Sequence, residues 1–175
     1  MPNWCENELT IKGPQATLLE IEKLIGLNKN PPEFDFNKII PYPSEYAELD
    51  KKAEAMRKTD HPDRFKIKDG FNSGGYEWCI DNWGTKWNVG KDDLWWTKSD
   101  KPTSKISLSF STAWSPPEPI IKSLASQFPD CSFYLKYRES GMGFKGTLRL
   151  KRGEITKETC NELIQDAKSS AGFRC

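Results

Sequence analysis

The chain has a single histidine, His61, and its five cysteines (Cys5, Cys79, Cys131, Cys160 and Cys175) are widely spaced, with no CxxC pair among them. One imidazole leaves one candidate base for a Ser-His-Asp or Cys-His mechanism. It stands in a charged stretch beside Pro62, where a solvated loop side chain is the simpler reading. The odd cysteine count argues against a disulfide scaffold and the spacing against a zinc site, and no cofactor is expected. Cys5, Cys79, Cys131 and Cys160 fall in apolar patterns, as small buried hydrophobes do, with no basic neighbour to activate a thiolate. No apolar run approaches the ~18–20 residues of a membrane span, and no secretory h-region follows Met1. With a mean hydropathy of −0.73, the expectation is a soluble protein of the cytoplasm without a membrane partner. Charge of one sign is lacking too: 26 Lys and Arg face 25 Asp and Glu, for a net +1, where a dedicated duplex-DNA binder would show a basic excess. Neither a phosphate-cradling loop nor a nucleophile elbow occurs, since Ser140-Gly141-Met142-Gly143-Phe144 lacks a strand-to-helix context and reads as a hairpin turn. Glu139 and Asp81 are carboxylates that nothing in the sequence pairs for acid–base work, so an enzyme is the least supported class.

Tryptophan, by contrast, is abundant: Trp4, Trp78, Trp83, Trp87, Trp95, Trp96 and Trp114. The 175 residues fit one domain over 1–175. Asn7, Leu9 and Ile11 alternate with polar residues, which predicts a half-buried strand. A helix follows Gly13-Pro14, with a stripe of Leu18, Ile21 and Ile25 and Gly26 as its C-cap. Residues 28–75 read as an insertion. Pro31, Pro32, Pro41 and Pro43 make its first part a connection. Its 44–70 segment, with seven acidic and seven basic residues, reads as a solvated helical excursion opened by Ser44. Tyr76, Cys79, Ile80 and Trp83 give a short helix stopped by Gly84. A strand is expected at Thr85–Val89 and a clean one through Ile106, Leu108 and Phe110. Ser115-Pro116-Pro117-Glu118 reads as a helix start, with a hydroxyl cap, a proline at the first position and a carboxylate three residues on; Ile120, Ile121, Leu124 and Phe128 supply its buried stripe. Phe133, Leu135 and Tyr137, then Phe144, Leu148 and Leu150, predict a hairpin. Ile155 before Thr156 suggests a hydrophobic staple on a final helix.

This order is the split β-α-β, ferredoxin-like pattern: an α+β antiparallel sheet with helices on one face, a helical insertion, and an extra C-terminal strand and helix. Right-handed crossovers place the first strand between the third and fourth conventional strands.

Four stretches carry a resemblance. Met1-Pro-Asn-Trp-Cys-Glu-Asn-Glu-Leu, Asn37-Lys-Ile-Ile-Pro-Tyr-Pro, Tyr76-Glu-Trp-Cys-Ile-Asp-Asn-Trp-Gly-Thr-Lys-Trp and Thr112-Ala-Trp-Ser-Pro-Pro look like the YubB-like family of plasmid and phage proteins of unassigned function. The resemblance runs from Met1 to about Gly146. It implies a ferredoxin-like domain and a mobile-element origin, and it supplies no catalytic residues.

In that topology the starts of the first two strands and the ends of the third and fourth share one rim. Asn3-Trp4 begins the first; Asn82, Trp83, Thr85, Lys86, Trp87 and Asn88 lead into the second; Thr112, Trp114 and Ser115 end the third; Arg138 and Glu139 end the fourth. A helix also begins there, and its free N–H groups favour an anion. Two readings stand. Tryptophans pin irregular segments by burying area, so the cluster is packing alone; or the amides and charges beside the rings mark a ligand site. On the second reading flat rings stack on Trp87 or Trp114 while Lys86 and Arg138 hold a negative group. That describes a nucleotide-like ligand, bound without catalysis; a host protein is the other partner considered, in either case as a counter to host defence. The runner-up is single-stranded nucleic acid on the uncovered sheet face, where the hairpin 134–152 carries six basic residues against one acidic. There Tyr134 is the one aromatic expected within the strands, and the charges are also explained by cross-strand ion pairs. A homodimer through an open sheet edge is a further possibility.

Overall fold

A computed structural model describes residues 3–59, 62, 66–96 and 104–163; His61 and Cys175 lie outside them. Six strands, β1 (Trp4–Lys12), β2 (Leu94–Trp95), β3 (Lys105–Ala113), β4 (Ser132–Glu139), β5 (Phe144–Lys151) and β6 (Glu154–Glu162), form one sheet in the order β2-β3-β1-β4-β5-β6. All its pairings are antiparallel. The helices are α1 (Gln15–Ile25), α2 (Ser44–Lys58), α3 (Gly75–Trp83) and α4 (Glu118–Gln127). β1 lies between β3 and β4, as the crossover rule requires, so the ferredoxin-like α+β architecture holds.

Alternation divides the sheet into two faces. Cys5, Asn7, Leu9 and Ile11 of β1 are buried, while Trp4, Glu6, Glu8 and Lys12 point the other way and stay exposed. The covered face meets Leu18, Ile21 and Ile25 of α1 and Ile120, Ile121, Leu124 and Ala125 of α4. Within the 28–75 stretch two parts behave differently. α2 buries only Ala53, whereas Phe34, Phe36 and Ile39 are in the main core. Phe110, Phe34, Phe36 and Trp83 form a chain of edge-to-face rings, with centroids 5.0, 5.2 and 5.9 Å apart.

Three expectations are corrected. No strand forms at Thr85–Val89; the second conventional strand is the two-residue β2, pairing Leu94 with Phe110 and Trp95 with Ser109. The reason is local: Thr85 and Asn88 spend their side chains on other segments, and the backbone between them joins no ladder. The residues expected to open a final helix lie in β6, paired with β5 from Phe144 to Lys151 around a bulge at Arg149/Leu150. The Ser115 hydroxyl does not cap α4, which starts at Glu118 after Pro117; it donates to the Gly84 carbonyl instead.

Cys5, Cys79 and Cys131 are free and buried. Burial, with Glu139 close by, pushes the Cys5 thiol up to about 12; burial, with Asp50 nearby, does the same for Cys79. Because the unfolded chain ionises these thiols from about pH 9, each contributes stability that is complete below that pH and lost as pH rises toward 12. At pH 8 the thiolate fraction of each is on the order of 10³ lower than in the unfolded chain. Iodoacetamide followed by mass spectrometry is therefore expected to leave both unmodified in the native protein and to label them on unfolding. Rapid native labelling of either thiol would contradict this placement.

Candidate functional site

The rim brings distant segments together. Trp4 and Trp87 meet edge to face, with centroids 6.4 Å apart. The Lys86 ammonium lies over two rings, 5.1 Å from the centre of Trp87 and 5.3 Å from that of Tyr76. The Trp114 N–H donates to the Asn3 carbonyl at 2.9 Å, which brings the third indole-bearing segment to the same end. The Asn3 side chain packs against Gly141, leaving no space there for a Cβ.

The polar groups beside these rings are largely engaged within the fold. Thr85 is fully buried and its hydroxyl donates to the Ala113 carbonyl at 2.8 Å. The Asn88 amide donates to Asp35 at 2.8 Å, and its carbonyl accepts the Phe36 N–H at 3.0 Å, which ties this loop to the aromatic chain. Asn82 donates back to the Trp78 carbonyl within α3, and the Trp83 indole N–H donates to Ile40. The Thr112 hydroxyl donates to the Ser115 carbonyl at 2.7 Å. Glu139 is 1 % exposed and shapes the β4–β5 turn, its carboxylate accepting the backbone N–H groups of Gly141 and Met142. Arg138 lies on the uncovered face, opposite Glu6 of β1 and Lys145 of β5.

Asn7 is the member of this network that sequence reading passed over, although an amide in the apolar register of Leu9 and Ile11 was the signal. Its Nδ2 donates to Thr112 Oγ1 and the Cys5 carbonyl, both at 2.9 Å, and lies 3.3 Å from the Phe110 carbonyl. Asn7→Leu keeps the size and removes this donor from buried acceptors; the expected cost is about 1–3 kcal/mol in a urea melt. A neutral effect would show that the amide adds nothing to the join between β1 and β3.

The start of α4 does not present a bare positive dipole. Glu118 occupies its first turn, and Lys122 reaches both Glu118 at 3.1 Å and Glu158 of β6 at 3.6 Å. Burial and the nearby Glu158 push the Glu118 carboxyl up, with the Lys122 contact opposing them. An anion at this helix start would meet carboxylates rather than free N–H groups.

The uncovered sheet face is the second candidate surface, and the register maps it. Trp95, Ser109, Glu8, Lys136, Thr147 and Thr159 lie in one row across the strands; Ser107, Thr10, Tyr134, Arg149 and Lys157 form a parallel row. Between the first of these rows and the rim come Glu6, Arg138, Lys145 and Asn161. The Arg149 guanidinium stacks 4.6 Å from the centre of the Tyr134 ring. The Lys136 ammonium is 3.4 Å from the Glu8 carboxylate, so basic charge outweighs acidic mainly on the β5–β6 side. Trp95 is 58 % exposed and Trp4 39 %, which gives the face aromatics on β1 and β2 besides Tyr134. By strand spacing and rise, Trp95 and Tyr134 stand roughly 16 Å apart at their Cα atoms.

Residues 83–173 match the family described as the ferredoxin-like domain in Api92-like protein. That is over half of the chain, and the protein belongs to this family. Its fold is similar to the crystal structure of a protein Api92 from Yersinia pseudotuberculosis, with a TM-score of 0.54 and 12 % identity over 99 % of this chain and 100 % of that one. At that identity the likeness speaks for the fold alone. No curated protein matches the chain. Among the described residues no helix is long and apolar enough to cross a membrane.

Proposed function

We propose that the protein is a non-catalytic binding module whose uncovered sheet face takes up single-stranded nucleic acid. The supporting observation is the Tyr134–Arg149 stack set among Lys136, Arg138, Lys145, Lys151 and Lys157, with Trp95 presented on the same face. A single strand needs just these two things: cations along a path for its phosphates, and rings whose faces accept any base. The YubB-like resemblance suggests the setting, an accessory gene of a plasmid or phage acting in the bacterial cytoplasm. Anisotropy titrations of a labelled single strand of about 16 nucleotides test the proposal. Binding is expected to weaken with salt at a log–log slope of about −2 to −4, which corresponds to a few phosphate contacts. Equal affinity for duplex, or no binding at about 50 mM salt, would overturn it.

A nucleotide-like ligand or host protein at the rim is the second reading, favoured by the Lys86 ammonium held against Trp87 and Tyr76. It ranks lower because the hydroxyls of Thr85 and Thr112 and the amides of Asn82 and Asn88 are already engaged within the fold. Saturable, salt-insensitive quenching of tryptophan fluorescence by a mononucleotide, abolished in Trp87→Ala, would reverse that order.

A further inference from the structure

On the helix-covered side of the rim, behind the face just described, lies a cleft of about 620 Å³. Its walls are Trp114, Tyr137, Met142 and Phe144, and Glu118 and Glu158 line it as well. The size is that of a small-molecule site, which typically spans ~300–1,000 Å³. Tyr137 and Phe144 meet edge to face at 6.2 Å. The Tyr137 hydroxyl is turned to the Thr159 carbonyl at 3.3 Å, and the ring contributes apolar area to the wall. Trp114 stands at the mouth, 40 % exposed.

The charge in the cleft fixes the sign of an occupant. Three carboxylates line the cleft, Glu118, Glu158 and Glu162, and the first two share one ammonium, Lys122. Glu158 keeps 44 % of its side chain exposed, and Glu118 is the more enclosed of the two at 18 %. An anionic ligand is disfavoured here, and a cation gains an attraction to the carboxylates that a neutral ligand does not. The rest of the lining is apolar and aromatic, Trp114, Tyr137, Met142 and Phe144, which suits a cation carried on an apolar body.

We propose that this cleft binds a small organic cation, an alkylammonium or guanidinium head carried on an apolar body. The body lies against Trp114, Tyr137, Met142 and Phe144, and the head is directed to Glu158 and Glu118. The proposal is independent of nucleic-acid binding, because it uses the other side of the sheet.

Phenethylammonium and its neutral isostere 2-phenylethanol are the probes, read by tryptophan fluorescence and by calorimetry at pH 7. The cation is expected to bind saturably, tighter than about 1 mM, and at least tenfold tighter than the alcohol. Glu158→Gln leaves the Lys122–Glu118 contact in place. It should weaken the ammonium about tenfold without changing the alcohol. Trp114→Phe should weaken both probes and remove the fluorescence response, with calorimetry still reporting the residual affinity. Equal affinity for amine and alcohol, an unchanged amine affinity in Glu158→Gln with an unchanged melting temperature, or no saturation by either probe would each overturn the proposal.

Discussion

Phe110→Ala is expected to lower stability by about 3–5 kcal/mol, the usual cost of truncating a buried phenylalanine. Phe110 is 1 % exposed. Its ring stands edge to face on Phe34 at 5.0 Å, and through Phe34 and Phe36 it connects to Trp83. Its backbone also pairs with Leu94, one of only two residues that form β2. The loss is therefore more than one side chain's burial. A void opens where the 34–36 loop is fastened to the sheet, and that loop cannot collapse into it while Asn88 holds Phe36 N–H and Asp35. For a chain of this length the melting temperature should drop by roughly 6–20 °C. In urea the midpoint should fall with an unchanged slope. A loss below about 1 kcal/mol would mean that the ring chain does not hold the loop.

That ring chain marks a limit of what the sequence shows. β1, β3, β4 and β5 could be read from alternation because each has one apolar face and one polar face, and α1 and α4 carry clear stripes. Phe34 and Phe36 sit among prolines in a stretch with no period, so their burial is settled by tertiary contact with Phe110 and Trp83. β6 was illegible for a different reason: Glu158 and Glu162 face the cleft while Lys157, Thr159 and Asn161 face the other way. Both faces are largely polar, so period 2 leaves almost no hydropathy signal. β2 escaped because two residues are too few for any pattern.

The candidate site was legible as a gathering of segments and illegible as chemistry. Strand topology brings Asn3 and Trp114 to one end, and Trp87, on a loop that forms no strand, joins them by packing against Trp4. Whether an amide there is free depends on backbone carbonyls that only folding brings close: Ala113 for Thr85, Trp78 for Asn82. Glu158 reversed the expected charge at the start of α4, and its contribution could not be foreseen while residues 156 onward read as a helix.

The largest binding effect is expected from the double variant Lys145→Ala/Arg149→Ala on the uncovered face. Both residues are exposed on β5, two rows apart on the map, with the row of Thr147 between them. If each meets one phosphate, each supplies about 0.7 of the log–log salt slope for a single strand, and losing both should flatten the slope by about 1.4. Carried to about 50 mM salt, that is a loss of roughly 60-fold in affinity. Tyr134→Ala, which removes a stacking platform, should lower affinity by about 5- to 150-fold while leaving the salt slope near its original value. The two variants thus separate phosphate from base contacts, the first changing the slope and the second the intercept. None of the three residues belongs to the core, and melting temperatures should move little. A Lys145→Ala/Arg149→Ala variant that binds as the wild type does, with the same salt slope, would show that the β5 cations do not face a nucleic-acid backbone.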